Sequence, residues 1–401
     1  MKIAIIGTYP PRQCGIATFS HDLYHSLPRS LANEHHIFAV SDGSEYVFPE
    51  EVTYIIEKEN LDSYIQAADV INNAFDACII QHEYGIFGGE TGSYIIDLLQ
   101  NLNVPVLTNL HTVLEHPHHN EYRILRELAQ YSSKITVMTS RAINMLETIY
   151  QIDRNQVSLI PHGVPNFDCD QEMAKRKLGF QNKKVMLSFG FLGKSKGFET
   201  AIQAVSEIEN DDFVYIILGS THPNVLKHEG DAYRHDLMDM VMARNIGHKV
   251  QFVNQFASEK LLKEYLSACD IYVTPYPNEN QISSGTLSFA LGAGAACIST
   301  PYWYAKDLLA DDRGLFFPFN DAHALSSVVN DLLDQPEKMH YYRNNALEYG
   351  KQMSWANVGK KQFQLLNELC TASKTSTICF NDTVQQNNIT NIFHSNKRLS
   401  S

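Results

Sequence analysis

The chain has 401 residues, 44% of them apolar and 19% charged, with a formal net charge of −13. That length exceeds one ordinary hydrophobic core and predicts two domains of globular composition. The acidic balance excludes a general nucleic-acid binder or a protein held on anionic lipid by charge, while leaving room for a small basic pocket. Seven cysteines without CxxC spacing predict reduced thiols. Met1-Lys2 runs straight into an apolar strand, and no apolar run reaches the roughly 18 residues of a membrane helix. The expectation is a soluble, cytoplasmic protein with no signal peptide and no transmembrane segment, in at most peripheral contact with a membrane.

Lys2–Gly7 reads as a buried parallel strand, short, β-branched and stopped by glycine. The loop Thr8–Phe19 that follows lacks GxGxxG, which disfavours a dinucleotide site. Further strands are predicted at His36–Val40, Ala77–Gln81, Val104–Asn109, Ile135–Thr139 and Val157–Ile160, with a helix over Leu61–Phe75. Strands alternating with helices predict a parallel sheet covered on both faces, with ligands off its carboxyl ends. Gly7 to Gly15, His82-Glu83 and His111 fall there. After a polar stretch, Asn166–Lys184, the pattern restarts with strands at Val185–Phe189, Val214–Leu218, Val250–Phe252, Asp270–Thr274 and Ala296–Thr300. Asp312–Leu315 reads as a tight turn, and Trp355–Leu369 as a closing amphipathic helix. Beyond Cys370 the chain turns to Thr, Ser, Asn and Gln, which predicts a disordered tail. Asn381 and Asn388 there match the N-glycosylation pattern, which carries little weight without a signal peptide.

Four stretches could carry chemistry. Ser283-Ser284-Gly285-Thr286 opens a predicted helix, where backbone N–H groups and the helix dipole suit a phosphate; the plain alternative is a βαβ turn whose glycine only lets the helix pack. Gly190–Gly197 places Lys194 and Lys196 between a strand and a helix, where an ammonium neutralises a leaving phosphate or is simply solvated. His82, Glu83, His111, Glu115, His116, His118 and His119 suggest a metal, but the spacing is not HExxH and Pro117 interrupts any helix. His111 at a strand end better suits a hydrogen bond to a polyhydroxylated ligand. Gly219–Asn224, with His222, is a polar strand-end loop, and Arg234 follows within reach of a phosphate or carboxylate.

Together these segments resemble the retaining family 4 glycosyltransferases of GT-B fold, over nearly all of the chain from Met1 to about Leu369. The motifs are GTYPPRQCGIATF, SLIPHGV, FGFLGKSKGFETAIQA, SGTLSFALGAGAACISTP and RGLFFPFNDAHAL. ILGSTHPNVLKHEGDAYR and QHEYGIFGGETG look most like a mannosyltransferase-like subgroup. The resemblance implies two Rossmann-like α/β domains facing a cleft: an acceptor domain over 1–165, a nucleotide-sugar domain over 166–353, a helix over 354–370 crossing back to the first domain, and the tail over 371–401. It implies hexose transfer, mannose from GDP-mannose being favoured, to a saccharide or lipid-linked acceptor, with retained configuration, no cofactor and no metal.

Residue by residue, the resemblance assigns the transfer chemistry to Lys196 and His111. Donor binding falls to Gly15, Gly190, Lys194, Ser220, Glu279, Gln281, Ser284, Gly285 and Thr286, and acceptor binding to Arg12, His82 and Glu83. Three positions depart from the family. Phe191 stands where it has an arginine, and Gln281 and Phe289 stand where it has a Glu-x7-Glu pair, so ribose recognition differs and Glu279 is the substitute for the first acid. The alternatives are a phosphorylase of the same fold using inorganic phosphate, and a binding protein that kept the fold without turnover.

Overall fold

Two parallel sheets carry the chain in the computed structural model, which describes residues 1–167, 170–221 and 223–372. The first sheet contains β1 (Lys2–Gly7), β2 (Glu34–Ser41), β3 (Val52–Glu57), β4 (Ala77–His82), β5 (Val106–Leu110), β6 (Lys134–Val137) and β7 (Val157–Leu159). Its order is β3-β2-β1-β4-β5-β6-β7, every pairing parallel. The second contains β8 (Lys184–Phe189), β9 (Phe213–Leu218), β10 (Val250–Val253), β11 (Ile271–Thr274), β12 (Ala296–Ser299) and β13 (Gly314–Phe316). Its order is β10-β9-β8-β11-β12-β13, again all parallel.

The central strands are apolar on both faces because both faces are covered. In β1, Ile3 and Ile5 join one core cluster while Ala4 and Ile6 join another; in β8, Val185 and Leu187 face one way and Met186 the other. That is the two-residue alternation of a strand with helices on each side. The two edge strands that the sequence does not announce, β3 and β13, lack this continuous run. Every other side chain of β3 from Thr53 to Glu57 is exposed, and β13 is three residues long. The turn expected over Asp312–Leu315 is therefore only partly one: Asp311 and Asp312 take positive φ, and Gly314 already pairs with β12.

In each sheet the strand order reverses at one crevice, between β1 and β4 and between β8 and β11. Ligands of open parallel sheets collect at such points, beyond the strands' carboxyl ends. The chain crosses between the sheets twice, side by side: Val164 N–H donates to Met353 O at 2.9 Å, and Trp355 N–H to Val164 O at 3.0 Å. A helix over 355–372 then packs on the first sheet, where Trp355, Val358, Leu366 and Cys370 meet Ile3, Ile5 and Leu107. This is the predicted crossing back. His222 and the expected polar tail, apart from Thr371 and Ala372, lie outside the described residues. Among the described residues no helix is long and apolar enough to cross a membrane.

Beneath the second sheet, Asp270 holds the amino end of β11 in place. Its carboxylate accepts from Lys175 Nζ at 2.7 Å, Val185 N at 2.8 Å and Gln171 Nε2 at 3.1 Å. Both partners of the ion pair are buried. Removing one charge of a buried pair leaves the other uncompensated. Asp270→Asn is therefore expected to lower the unfolding free energy by about 3 kcal/mol, read from the urea midpoint at constant slope.

Candidate active site

The loop after β8 lies directly on the loop after β11. Gly197, at φ +65°, makes this approach: a Cβ built on it would fall 2.0 Å from Pro275 O. The contact sets Lys196 against Tyr276, its Nζ donating to the Tyr276 hydroxyl at 3.1 Å and standing 4.3 Å from the ring centroid. The hydroxyl is 3.2 Å from Thr286 Oγ1, which is 3.2 Å from Ser284 Oγ. Tyr302 stacks beneath the Tyr276 ring at 4.9 Å. Burial works to raise the Tyr276 hydroxyl, but the Lys196 charge and the hydrogen bonds with Thr286, Lys196 and Ser284 outweigh it, so the phenol titrates below its ordinary value.

Ser284 caps the helix Gly285–Gly292, accepting from Leu287 N. Gly190 lies under the Thr286 methyl, 3.4 Å from where its own Cβ would be. Gly190, Lys196, Ser284, Gly285 and Thr286 thus converge on one helix start, where the first N–H groups have no intrahelical acceptor.

The other positions on this side hold the loops together. Lys194 is exposed in the turn of Lys196. The Ser220 carbonyl accepts from Leu192 N at 3.0 Å. Glu279 is exposed, and its carbonyl accepts from Trp303 N at 3.0 Å. Gln281 gives its side-chain amide to Ser283 O at 2.9 Å. Phe289 is buried, 5.7 Å from the His162 ring and 6.4 Å from Phe189. The Arg234 guanidinium is committed to Asp231.

On the first domain, His111 is buried at the end of β5, its Nε2 2.9 Å from Gln81 Oε1 and its ring edge-to-face with Phe19 at 4.6 Å. Burial above all, with lesser contributions from His162 and His82, pulls its pKa down to about 3, so the imidazole is neutral at pH 7. Glu83 accepts from Tyr84 N at 3.1 Å and from the Thr112 hydroxyl; burial pushes its carboxyl up against these bonds. Gly15 opens the helix Gly15–Ser26, with nothing within 4 Å of where a Cβ would stand. Arg12 faces Asp42 at 3.3 Å.

His82 does not fit the acceptor role the sequence suggests. It is fully buried at the end of β4, stacked on Phe87, and neither ring nitrogen has a partner among the described residues. Side chains alternate along a strand, and His82 is turned into the core. Burial pulls its pKa down to about 3.

Between the domains, Ser283 Oγ donates to His111 O at 3.0 Å, and Ile282 and Trp303 are buried in the core of the first domain. Ser140 gives its N–H and its hydroxyl to Asp307, each at 2.8 Å, and Arg141 lies 4.1 Å over the Trp303 ring. The missing side chain of Gly285, expected to leave room for a phosphate or for its own helix to pack, faces the other domain: a Cβ there would lie 3.0 Å from His162 Nε2. Neither His162 nor Tyr276 carries a local signal in the sequence that marks it as a site residue. Among the described residues, no three of His, Cys, Asp and Glu are grouped to hold a metal ion.

Residues 170–349 match the family described as Glycosyl transferases group 1. Those residues contain the whole of the second sheet. The chain is also 24% identical, over 321 residues, to the D-inositol 3-phosphate glycosyltransferase of Corynebacterium efficiens, covering 73% of this chain and 71% of that one. Among solved structures it is similar to Anabaena HepE in complex with UDP, with a TM-score of 0.74 at 14% identity, covering 92% of this chain and 100% of that one. It is similar as well to the sucrose-phosphate synthase of Thermosynechococcus elongatus, with a TM-score of 0.73 at 17% identity, covering 92% and 99%. These likenesses establish the GT-B fold for both domains, and the start of Gly285–Gly292 with Lys196 lies within the residues that match the family.

Two measurements check this geometry. An unfolded chain takes up a proton at His82 near pH 6.5, whereas the folded protein resists to about pH 3; stability is therefore lost as pH falls through that window. His82→Leu should flatten the loss of melting temperature between pH 6.5 and 4 while leaving the protein at least as stable at pH 7; an unaltered pH slope would show that His82 has a partner. For the interface, Gly285→Val should lower the melting temperature, and His162→Ala in the same chain should return part of that loss. The coupling expected for touching residues is about 1 kcal/mol; purely additive effects would place the strain elsewhere.

Proposed function

We propose that the chain is a retaining hexosyltransferase, moving mannose from GDP-mannose to a hydroxyl of a saccharide or lipid-linked acceptor. The observation that carries the reading is the convergence of Lys196, Tyr276, Ser284 and Thr286 at the start of Gly285–Gly292. An ammonium and a helix start together suit a diphosphate, and they stabilise it most as it leaves. The bond from the sugar's anomeric carbon to phosphate breaks, the bond to the acceptor oxygen forms on the same face, and the acceptor's proton passes to the leaving diphosphate. No protein nucleophile and no metal are called for in this reading.

His111, neutral, hydrogen-bonds the transferred sugar, while Glu83 and Arg12 face the acceptor, and the protein works in the cytoplasm. The Corynebacterium relative is named for an inositol phosphate acceptor, and a related Anabaena HepE structure holds UDP-glucose, so both chemistries belong among the substrates tried. One observation favours a phosphorylase as second reading: Phe289, where the resemblance expects the ribose-binding acid, is buried against His162. Calorimetric titration with GDP-mannose, UDP-glucose, a hexose 1-phosphate and inorganic phosphate separates them. Tight binding of GDP-mannose supports the proposal; binding of phosphate without any nucleotide sugar overturns it.

Lys196→Ala should raise the transfer barrier by about 3 kcal/mol, roughly a hundredfold in kcat, with acceptor KM little changed and the rate indifferent to a chelator. A near-normal rate would remove the lysine from the mechanism.

A further inference from the structure

Behind His111 runs a line of buried amides that ends on the crossing helix. Gln362, 2% exposed within 355–372, accepts through Oε1 from Asn109 Nδ2 at 3.0 Å. The same nitrogen reaches Gln81 Oε1 at 3.3 Å, and that oxygen also receives His111 Nε2 at 2.9 Å. The Thr136 hydroxyl donates to Asn109 Oδ1, holding the other end of that amide. Gln81 and Asn109 are both buried. A buried donor facing a donor is costly, so such a line keeps one polarity throughout or breaks. With Gln81 Oε1 as the facing atom, His111 carries its hydrogen on Nε2, and Nδ1 keeps a lone pair.

One atom of the line is unmatched. Among the described residues Gln81 Nε2 is buried without a partner. Turning the Gln81 amide over would let that nitrogen donate to His111, but it would also set an NH2 against the Asn109 NH2. Asn109 can turn in response only if the Gln362 amide turns too and the Thr136 hydroxyl changes from donor to acceptor, so the sense of the line is held at its Gln362 end. The restraint on His111 therefore reaches the imidazole from the crossing helix through Asn109 and Gln81.

We propose that Gln362 is a positioning residue: by ending this line it holds His111 in its Nε2–H tautomer, so that the helix fastening the chain's far end to the first domain also sets the polarity of the sugar-facing wall. The consequence for turnover rests on His111 contacting the sugar; the tautomer itself does not.

The test is 15N NMR of the imidazoles in the intact protein at pH 7, the His111 signals, among 17 histidines, being assigned by their loss in His111→Ala. Wild type should show Nε2–H alone. Gln362→Met, which keeps length and removes the acceptor, should populate Nδ1–H, and Gln362→Glu, which keeps an accepting oxygen, should return His111 to Nε2–H. With the donor that binds in the titration above, kcat should fall about tenfold in Gln362→Met, at unchanged donor KM, and recover in Gln362→Glu. A wild-type Nδ1–H tautomer, or an unshifted tautomer in folded Gln362→Met, overturns the proposal; the first of these needs no variant to fold. If His111→Ala turns over normally while the tautomer still follows Gln362, the positioning stands and the sugar contact of His111 falls.

Discussion

Where Gly285 carries no side chain, the His162 imidazole occupies the space, and the two domains meet at that contact. His162 belongs to a column of rings crossing from one domain to the other. Phe19 meets His111 at 4.6 Å, Trp355 at 4.9 Å and His162 at 5.2 Å, and His162 meets Phe289 at 5.7 Å. The Phe19 contacts are edge-to-face, each adding on the order of 1 kcal/mol beyond burial. An apolar column joins the domains without desolvating charge. It also explains the missing acid at position 289: a carboxylate there would be buried among rings beside a neutral imidazole, at a desolvation cost that a phenyl group avoids.

The interior of both sheets is legible in the sequence because a strand covered on both faces must be apolar through its middle, as Ile3–Ile6, Ala77–Ile80, Val185–Leu187 and Phe213–Leu218 are. The edges are not: β3 and β13 bury too little to leave a run, and their existence is decided by the neighbours they pair with. The site divides in the same way. Ser284, Thr286 and Lys196 stand at strand ends beside glycines, a local signal. Tyr276 and His162 are single residues in loops, and what makes them part of the site is distance in space, with Tyr276 meeting Lys196 across 80 positions of chain. His82 and His111 share the strand-end signal and differ only in which way the side chain faces. The strand pattern near its end does not settle that, because the loop after β4 buries what a longer strand would have left exposed.

The two walls of the cleft differ in electrostatic character, for one physical reason. On the first domain, burial holds His82, His111 and His162 below the ordinary imidazole pKa, so these rings carry no charge at pH 7. On the second domain, Lys196 keeps an ammonium against a phenol whose own titration it lowers. In the proposed reaction the charged diphosphate would therefore favour the second wall, and the uncharged sugar the first.

The chain's net charge of −13 does not oppose this placement. At physiological ionic strength, charges beyond about 8 Å are largely screened, so what a phosphate feels on arrival is set by the groups around Lys196 and the start of Gly285–Gly292. A neutral His111 adds to the selectivity. A protonated imidazole would attract phosphate to the wrong wall, whereas a neutral one offers only a directional hydrogen bond, whose sense depends on which nitrogen holds the hydrogen. Burial thus does two things at once on the first domain: it removes the competing charge, and it makes the tautomer matter.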